Sequence, residues 1–163
     1  MAVESTQPKT RFIGTLTLTA GSLAAYTGGI TDGNITFSGL TAAQKEKILV
    51  EHRGNFSTLV AGKQKYVSYS ATFKLCDLVD PTDVTLVGLL LQKGAHAAAL
   101  STLGANRPYC IDILWTMLGT LQGDAANHTM LVEDCSVDDV NFTEGDVNEV
   151  TFSGIAYGAI TMA

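Results

Sequence analysis

The residues able to do chemistry are few and scattered along this chain. The histidines, His52, His96 and His128, stand apart from any Ser or Cys context resembling a nucleophile elbow. A triad is defined by geometry rather than by sequence order, so three dimensions could still assemble one, but no spacing here points to it. Cys76, Cys110 and Cys135 form neither a C-x-x-C motif nor a metal-ligand spacing and read as small buried thiols of a reducing cytoplasm. The glycines match neither G-x-G-x-x-G nor the phosphate-binding loop pattern, so nucleotide binding has no support. Seven acids, Glu133, Asp134, Asp138, Asp139, Glu144, Asp146 and Glu149, suggest calcium. No EF-hand frame fits them, and a solvated face is the simpler reading. The four N-x-S/T triplets, at Asn34, Asn55, Asn127 and Asn141, are what a Thr/Ser-rich β-sequence produces by chance. No catalytic, cofactor or metal residue is expected, and the chain reads as non-enzymatic.

Charge says more about partners. All ten Lys and Arg lie in residues 1–107, together with seven acids, whereas residues 108–163 hold nine acids and no cation. An acidic half cannot neutralise phosphates, so tight DNA binding is not expected. Charged residues are 16% of the chain against 46% hydrophobic, below the ~25% charged content of typical soluble domains. Some apolar surface therefore ends against another molecule. No apolar run reaches the ~18 residues of a membrane span, and the polar start predicts no classical secretion.

The elements that position these residues are mostly strands. Residues 1–163 contain no proline-rich or low-complexity divider and read as one domain. Arg11–Ala20 alternates Phe12, Leu16 and Leu18 against threonines, and Asp32-Gly33 is a turn before a returning strand at Ile35–Phe37. Thr41–Arg53 is ambiguous; we favour a short turn, then a strand over Lys47–His52 ended by Arg53-Gly54. Tyr66–Leu75 alternates cleanly, with Val67, Tyr69, Ala71, Phe73 and Leu75 on the core parity. The polar stretch Ala61, Gly62, Lys63, Gln64 and Lys65 before it is expected to be an exposed hairpin loop. Asp80 as N-cap, Pro81, the apolar Val84, Val87, Leu90 and Leu91, and the Lys93-Gly94 stop predict a helix of roughly three turns. Tyr109–Leu118 is apolar on both parities and predicts a strand covered on two sides, by the helix or by a neighbouring subunit. Met130–Val132 begins another strand, and Glu149–Ile160 reads as a terminal one. The fold class is mainly β, a β-sandwich or barrel with one flanking α-helix.

Residues 132–158, Val-Glu-Asp-Cys-Ser-Val-Asp-Asp-Val-Asn-Phe-Thr-Glu-Gly-Asp-Val-Asn-Glu-Val-Thr-Phe-Ser-Gly-Ile-Ala-Tyr-Gly, resemble the end of a major tail tube protein of long, non-contractile-tailed bacteriophages. In that family a strand leads into an acidic E-G-D-x-N turn, and a final strand closes on an aromatic-Gly pair. The resemblance runs loosely over most of the chain and is specific for about residues 130–158. It implies a subunit of hexameric rings that continue their sheets around a lumen and stack into a virion tube. Such a tube conducts DNA at ejection, with tape-measure and tail-end proteins as further partners, no cofactor and no membrane. Related folds occur in contractile tails and type VI secretion tubes.

The family also uses a loop near Ala61–Lys65 for contacts between rings. On the physical argument that a DNA conduit should not grip phosphates, Asp134, Asp138, Asp139, Glu144 and Asp146 become candidates for an acidic lumen. The alternatives are a capsid decoration protein, a type VI tube protein or a ligand-binding β-sandwich. The single tryptophan, Trp115, lies inside an apolar strand, which counts against a glycan platform.

Overall fold

The computed structural model describes residues 14–29, 33–40, 45–75, 78–101, 107–122 and 125–163. Arg11–Ile13, Asp32, Thr41–Gln44 and Cys76, all used above, lie outside the described residues. The strands are β1 Gly14–Thr19, β2 Tyr26–Gly29, β3 Gly33–Ser38, β4 Lys45–His52, β5 Asn55–Gln64, β6 Val67–Lys74, β7 Cys110–Met117, β8 His128–Ser136, β9 Asp139–Thr143, β10 Glu149–Ala156 and β11 Ile160–Met162, with helix α1 Leu86–Leu91 between β6 and β7. Alternation places every second residue of β6 in the interior: Val67, Tyr69, Ala71 and Phe73 are buried while Ser68, Ser70 and Lys74 are exposed.

The main sheet runs β2-β1-β7-β8-β10-β6-β3, with β11 also beside β8 and β9 also beside β10. The described pairings are antiparallel. β8 and β10 share one paired position, Ala156 with Cys135, so the sheet turns a corner there and folds into two layers. A bulge helps make that corner. The β7–β8 register shifts between Ile111 and Ile113, and Asp134 adopts a left-handed φ of 53° with its N–H donating to Asp112 Oδ1 at 2.9 Å. Leu16, Leu18, Ile111, Ile113, Val132 and Cys135 from one layer meet Tyr69, Phe73, Val150 and Phe152 from the other, with Leu86, Leu89 and Leu90 of α1 in the same core. The arrangement is sandwich-like and mainly β with one helix, as expected.

The corner is fastened by polar groups. Tyr69 Oη donates to the Ser136 carbonyl at 2.5 Å, Ile155 N–H donates to Ser136 Oγ at 3.1 Å, and Ser136 Oγ lies 3.2 Å from the Ile155 carbonyl. Gly154 passes so close that an added Cβ would fall on the Ser136 carbonyl oxygen. Gly154→Ala is therefore expected to lower unfolding free energy by about 3 kcal/mol, the upper end of overpacking costs, in urea titration. A loss below about 0.5 kcal/mol, the range of an inconsequential surface change, would contradict this corner.

Three expectations are corrected. Ala61–Gln64 is the end of strand β5 rather than a loop, because Lys45↔Gln64 and Lys47↔Ala61 extend the ladder past a bulge at Gly62–Lys63; Lys65 alone follows it. The helix is shorter than three turns. Asp80 accepts from the N–H groups of Thr82 (2.7 Å) and Asp83 (2.9 Å), which commits residues 80–83 to a turn, and Thr85 caps the helix by accepting from Gly88 N–H at 3.0 Å. Gln92, left-handed at φ 51°, ends it before Lys93-Gly94. Glu149–Ile160 is two strands, bent where Tyr157 and Gly158 N–H groups donate to the Asp134 and Glu133 carbonyls. Along β7, Cys110, Ile111 and Ile113 are buried, whereas Asp112 and Leu114–Met117 are half-buried.

Candidate assembly surface

β4 and β5 form a two-stranded sheet of their own, turned at Arg53-Gly54. Both turn residues have positive φ, 55° and 77°, which is what a two-residue type I′ hairpin demands and why glycine stands at the second position. Ile48 pairs with Val60 on one face and Leu49 with Leu59 on the other. The result is a ribbon apolar on both faces. Phe56 is 66%, Leu49 54% and Leu59 53% exposed, and Ile48, Val50 and Val60 are exposed with them. An isolated two-stranded ribbon is marginal in water, and this one carries apolar side chains that no other described element covers. Lys45, Lys47 and Lys65 surround an open cleft at its base with Glu46 and Ile48, and Lys63 lies alongside in β5.

The five lumen candidates do not form one cluster. Asp134 is half-buried in the β8 bulge, and Asp138 and Asp139 follow at the β8–β9 connection, where Asn141 Nδ2 donates to Asp139 Oδ2 at 2.6 Å. Glu144 and Asp146 sit a strand's length away, at the far end of β9, in the β9–β10 turn. That turn explains the E-G-D-x-N motif. Asn148 Oδ1 accepts from Gly145 N–H at 3.2 Å, and its carbonyl accepts from Leu75 N–H at 2.8 Å, so the asparagine closes the turn and ties it to β6. Phe142 and Val147 beside it are exposed. Among the described residues no group of three or more His, Cys, Asp or Glu is placed to hold a metal ion.

The histidines are held in separate places: His52 at the ribbon tip, His96 buried with Nε2 2.9 Å from the Ala24 carbonyl, and His128 opening β8. Cys110 and Cys135 are free and buried, and burial pushes both thiols above their ordinary pKa. Iodoacetamide at pH 8 is expected to label neither in the folded subunit and both after unfolding, read by mass spectrometry; labelling of either within minutes in native buffer would contradict their placement. Among the described residues no helix is long and apolar enough to cross a membrane.

Sequence reasoning missed the ribbon as a unit. Its signal was the adjacent apolar run Ile48-Leu49-Val50 mirrored by Leu59-Val60 across an Arg-Gly turn.

The described residues form a two-layer antiparallel sandwich with one short flanking helix and an exposed two-stranded ribbon. The same fold is found in chains of contractile injection systems. A chain of the anti-feeding prophage (AFP) baseplate, 6-fold symmetrised, superposes with TM-score 0.59 at 9% identity, covering 97% of this chain and 97% of that one. A chain of the extended PVC sheath-tube complex matches with TM-score 0.55 at 13% identity, over 97% and 93%. A chain of the AFP tube terminating cap gives TM-score 0.55 at 11% identity, over 99% and 94%. No protein-family model and no curated protein sequence matches the chain.

Proposed function

We propose that this chain, as a single domain over residues 1–163, is a non-enzymatic structural subunit that assembles with copies of itself into stacked rings forming a tail tube. The observation that carries the reading is the β4–β5 ribbon, apolar on both faces and uncovered, on a fold shared with chains of tube-containing complexes. A second copy is the natural cover for such a ribbon, because heterologous contacts let one surface of a subunit meet a different surface of the next. The residues Ala61–Gln64 and Lys65 then act between rings as strand and strand exit. The edges of β2, β3 and β9 that no other described strand pairs offer the backbone groups through which sheets continue around a ring. Hexameric rings are supported by the 6-fold symmetry named for one fold neighbour.

The tube conducts DNA without gripping it. Asp134, Asp138 and Asp139 at one end of β9 and Glu144 and Asp146 at the other supply an acidic lumen wall, whose repulsion is screened beyond ~8–10 Å at physiological salt. Its place is the virion tail, with tape-measure and tail-end proteins as partners. Assignment to a long non-contractile tail rests on the Glu144–Asn148 turn and the closing Tyr157-Gly158 pair. The fold neighbours favour a second reading, the inner tube of a contractile system. Size-exclusion with light scattering over a concentration series tests self-assembly. Particles isolated from producing cells separate the two tail types, because only the second reading places a sheath around the tube.

A further inference from the structure

Four of the ten Lys and Arg, Lys45, Lys47, Lys63 and Lys65, gather at the base of the ribbon together with Glu46. The ribbon above them is apolar and uncovered. Residues 108–163 contain no cation at all, and three of their nine acids have a local setting. Asp112 accepts from Asp134 N–H, Asp139 accepts from Asn141, and Glu149 lies opposite Lys74 across β10 and β6. Glu144 and Asp146 differ. They are exposed on a turn held in one shape by Asn148, and the two exposed apolar side chains Phe142 and Val147 flank them. One surface thus carries lysines next to uncovered aliphatic and aromatic side chains, and another carries carboxylates next to the same kind of side chain.

We infer that the ribbon base of one copy docks on the β9–β10 turn of a second copy, with Lys45, Lys47, Lys63 and Lys65 facing Glu144 and Asp146 and the ribbon's apolar residues meeting Phe142 and Val147. The inference rests on the tube reading and specifies its stacking contact. The two surfaces differ, so the contact is head-to-tail and leaves a free ribbon at one end and a free turn at the other, which propagates a stack instead of closing a dimer. Opposite charges steer the encounter and fix its register, and the apolar residues supply most of the affinity. The turn acids, at the end of β9 remote from Asp134, Asp138 and Asp139, then border both the lumen and the next ring.

A charge swap tests it on the full chain. Lys45→Glu with Lys47→Glu, and separately Glu144→Lys with Asp146→Lys, should each raise the protein concentration needed for tubes at least about tenfold, since like charges brought together at a contact cost several kcal/mol. All four side chains are exposed, so thermal melts should match the parent; Lys45→Gln/Lys47→Gln and Glu144→Gln/Asp146→Asn give the milder version if a reversal disturbs folding. The combined fourfold variant, with acids on the ribbon and lysines on the turn, should regain tubes. Single-sided variants that assemble like the parent, or a fourfold variant that stays as defective as they are while the parent forms tubes, would overturn the docking and leave the tube reading intact. A parent chain that forms no assembly would overturn both.

Discussion

Leu49→Asp combined with Leu59→Asp is expected to abolish assembly and leave the subunit folded. The two leucines are direct cross-strand partners at the middle of the ribbon, and both are more than half exposed in the single chain. A surface substitution away from caps and core changes stability by about 0.5 kcal/mol or less, so the unfolding midpoint should barely move. In an interface the same leucines are buried, and each is worth roughly 1.5–3 kcal/mol of apolar transfer. The substitution removes both and demands that two carboxylates be desolvated where hydrocarbon was expected. A loss of even about 4 kcal/mol per contact is a factor near a thousand in affinity. Light scattering should therefore report a monomer over the range in which the parent forms rings or tubes. Parent-like tubes from this variant would remove the ribbon from the interface.

Phe152→Ala should be the most damaging single truncation in the fold, costing about 3–5 kcal/mol in chemical denaturation. Phe152 is fully buried on β10 at the centre of an aromatic group: its ring stacks on Phe73 at 6.0 Å and 16°, and meets Tyr69 edge-on at 6.0 Å and 70°. The two partners belong to β6, so the truncation opens a void between the two central strands of one layer and the layer opposite. Phe73→Ala should fall in the same range. Lys74→Ala provides the control. It occupies the exposed parity of β6 opposite Glu149, where a surface pair is worth about 0–1 kcal/mol. Equal losses at Phe73 and Lys74 would put the core on the wrong face of β6.

Acid should loosen one local feature. The Asp83 and Thr82 N–H groups hold the Asp80 carboxyl below the usual carboxylate range. Its contribution to the 80–83 turn is complete above the unfolded value of about 3.9 and is lost as pH falls through the lowered folded value. An NMR titration of Asp80 should accordingly give a midpoint below that of free aspartate.

Where a segment's fate is decided by its own side chains, the sequence was a good guide. The period-2 pattern of β6 and the Leu16–Leu18 pair of β1 place the right residues in the core, because half-buried strands write burial directly into alternation. Legibility ends where backbone geometry or distant partners decide. Ala61-Gly62-Lys63-Gln64 has loop composition, yet pairing with Lys45–Lys47 carries it along as strand. Tyr26–Gly29 became β2 despite two glycines because β1 supplied a template edge. Asp80 looked like a helix cap and instead caps a turn, with Thr85 taking the helix start three residues after Thr82. The β8–β10 corner, built from the Asp134 bulge and the Gly154–Ser136 approach, joins residues whose proximity no local pattern announces.

The candidate site divides the same way. The charge asymmetry and the Glu144–Asn148 turn could be read from residue types, whereas the ribbon required knowing that nothing in the described chain folds over Ile48–Val50 and Leu59–Val60. Likewise the five proposed lumen carboxylates are near in sequence but divide between the two ends of β9, a separation only the pairing of β9 with β10 reveals.

Electron microscopy of the purified full chain, negatively stained after incubation across a concentration series up to the millimolar range, tests the central claim most directly. Rings are expected and, at higher concentration, stacked tubes with an open lumen. A strictly monomeric particle at every concentration, with neither rings nor tubes, would contradict it.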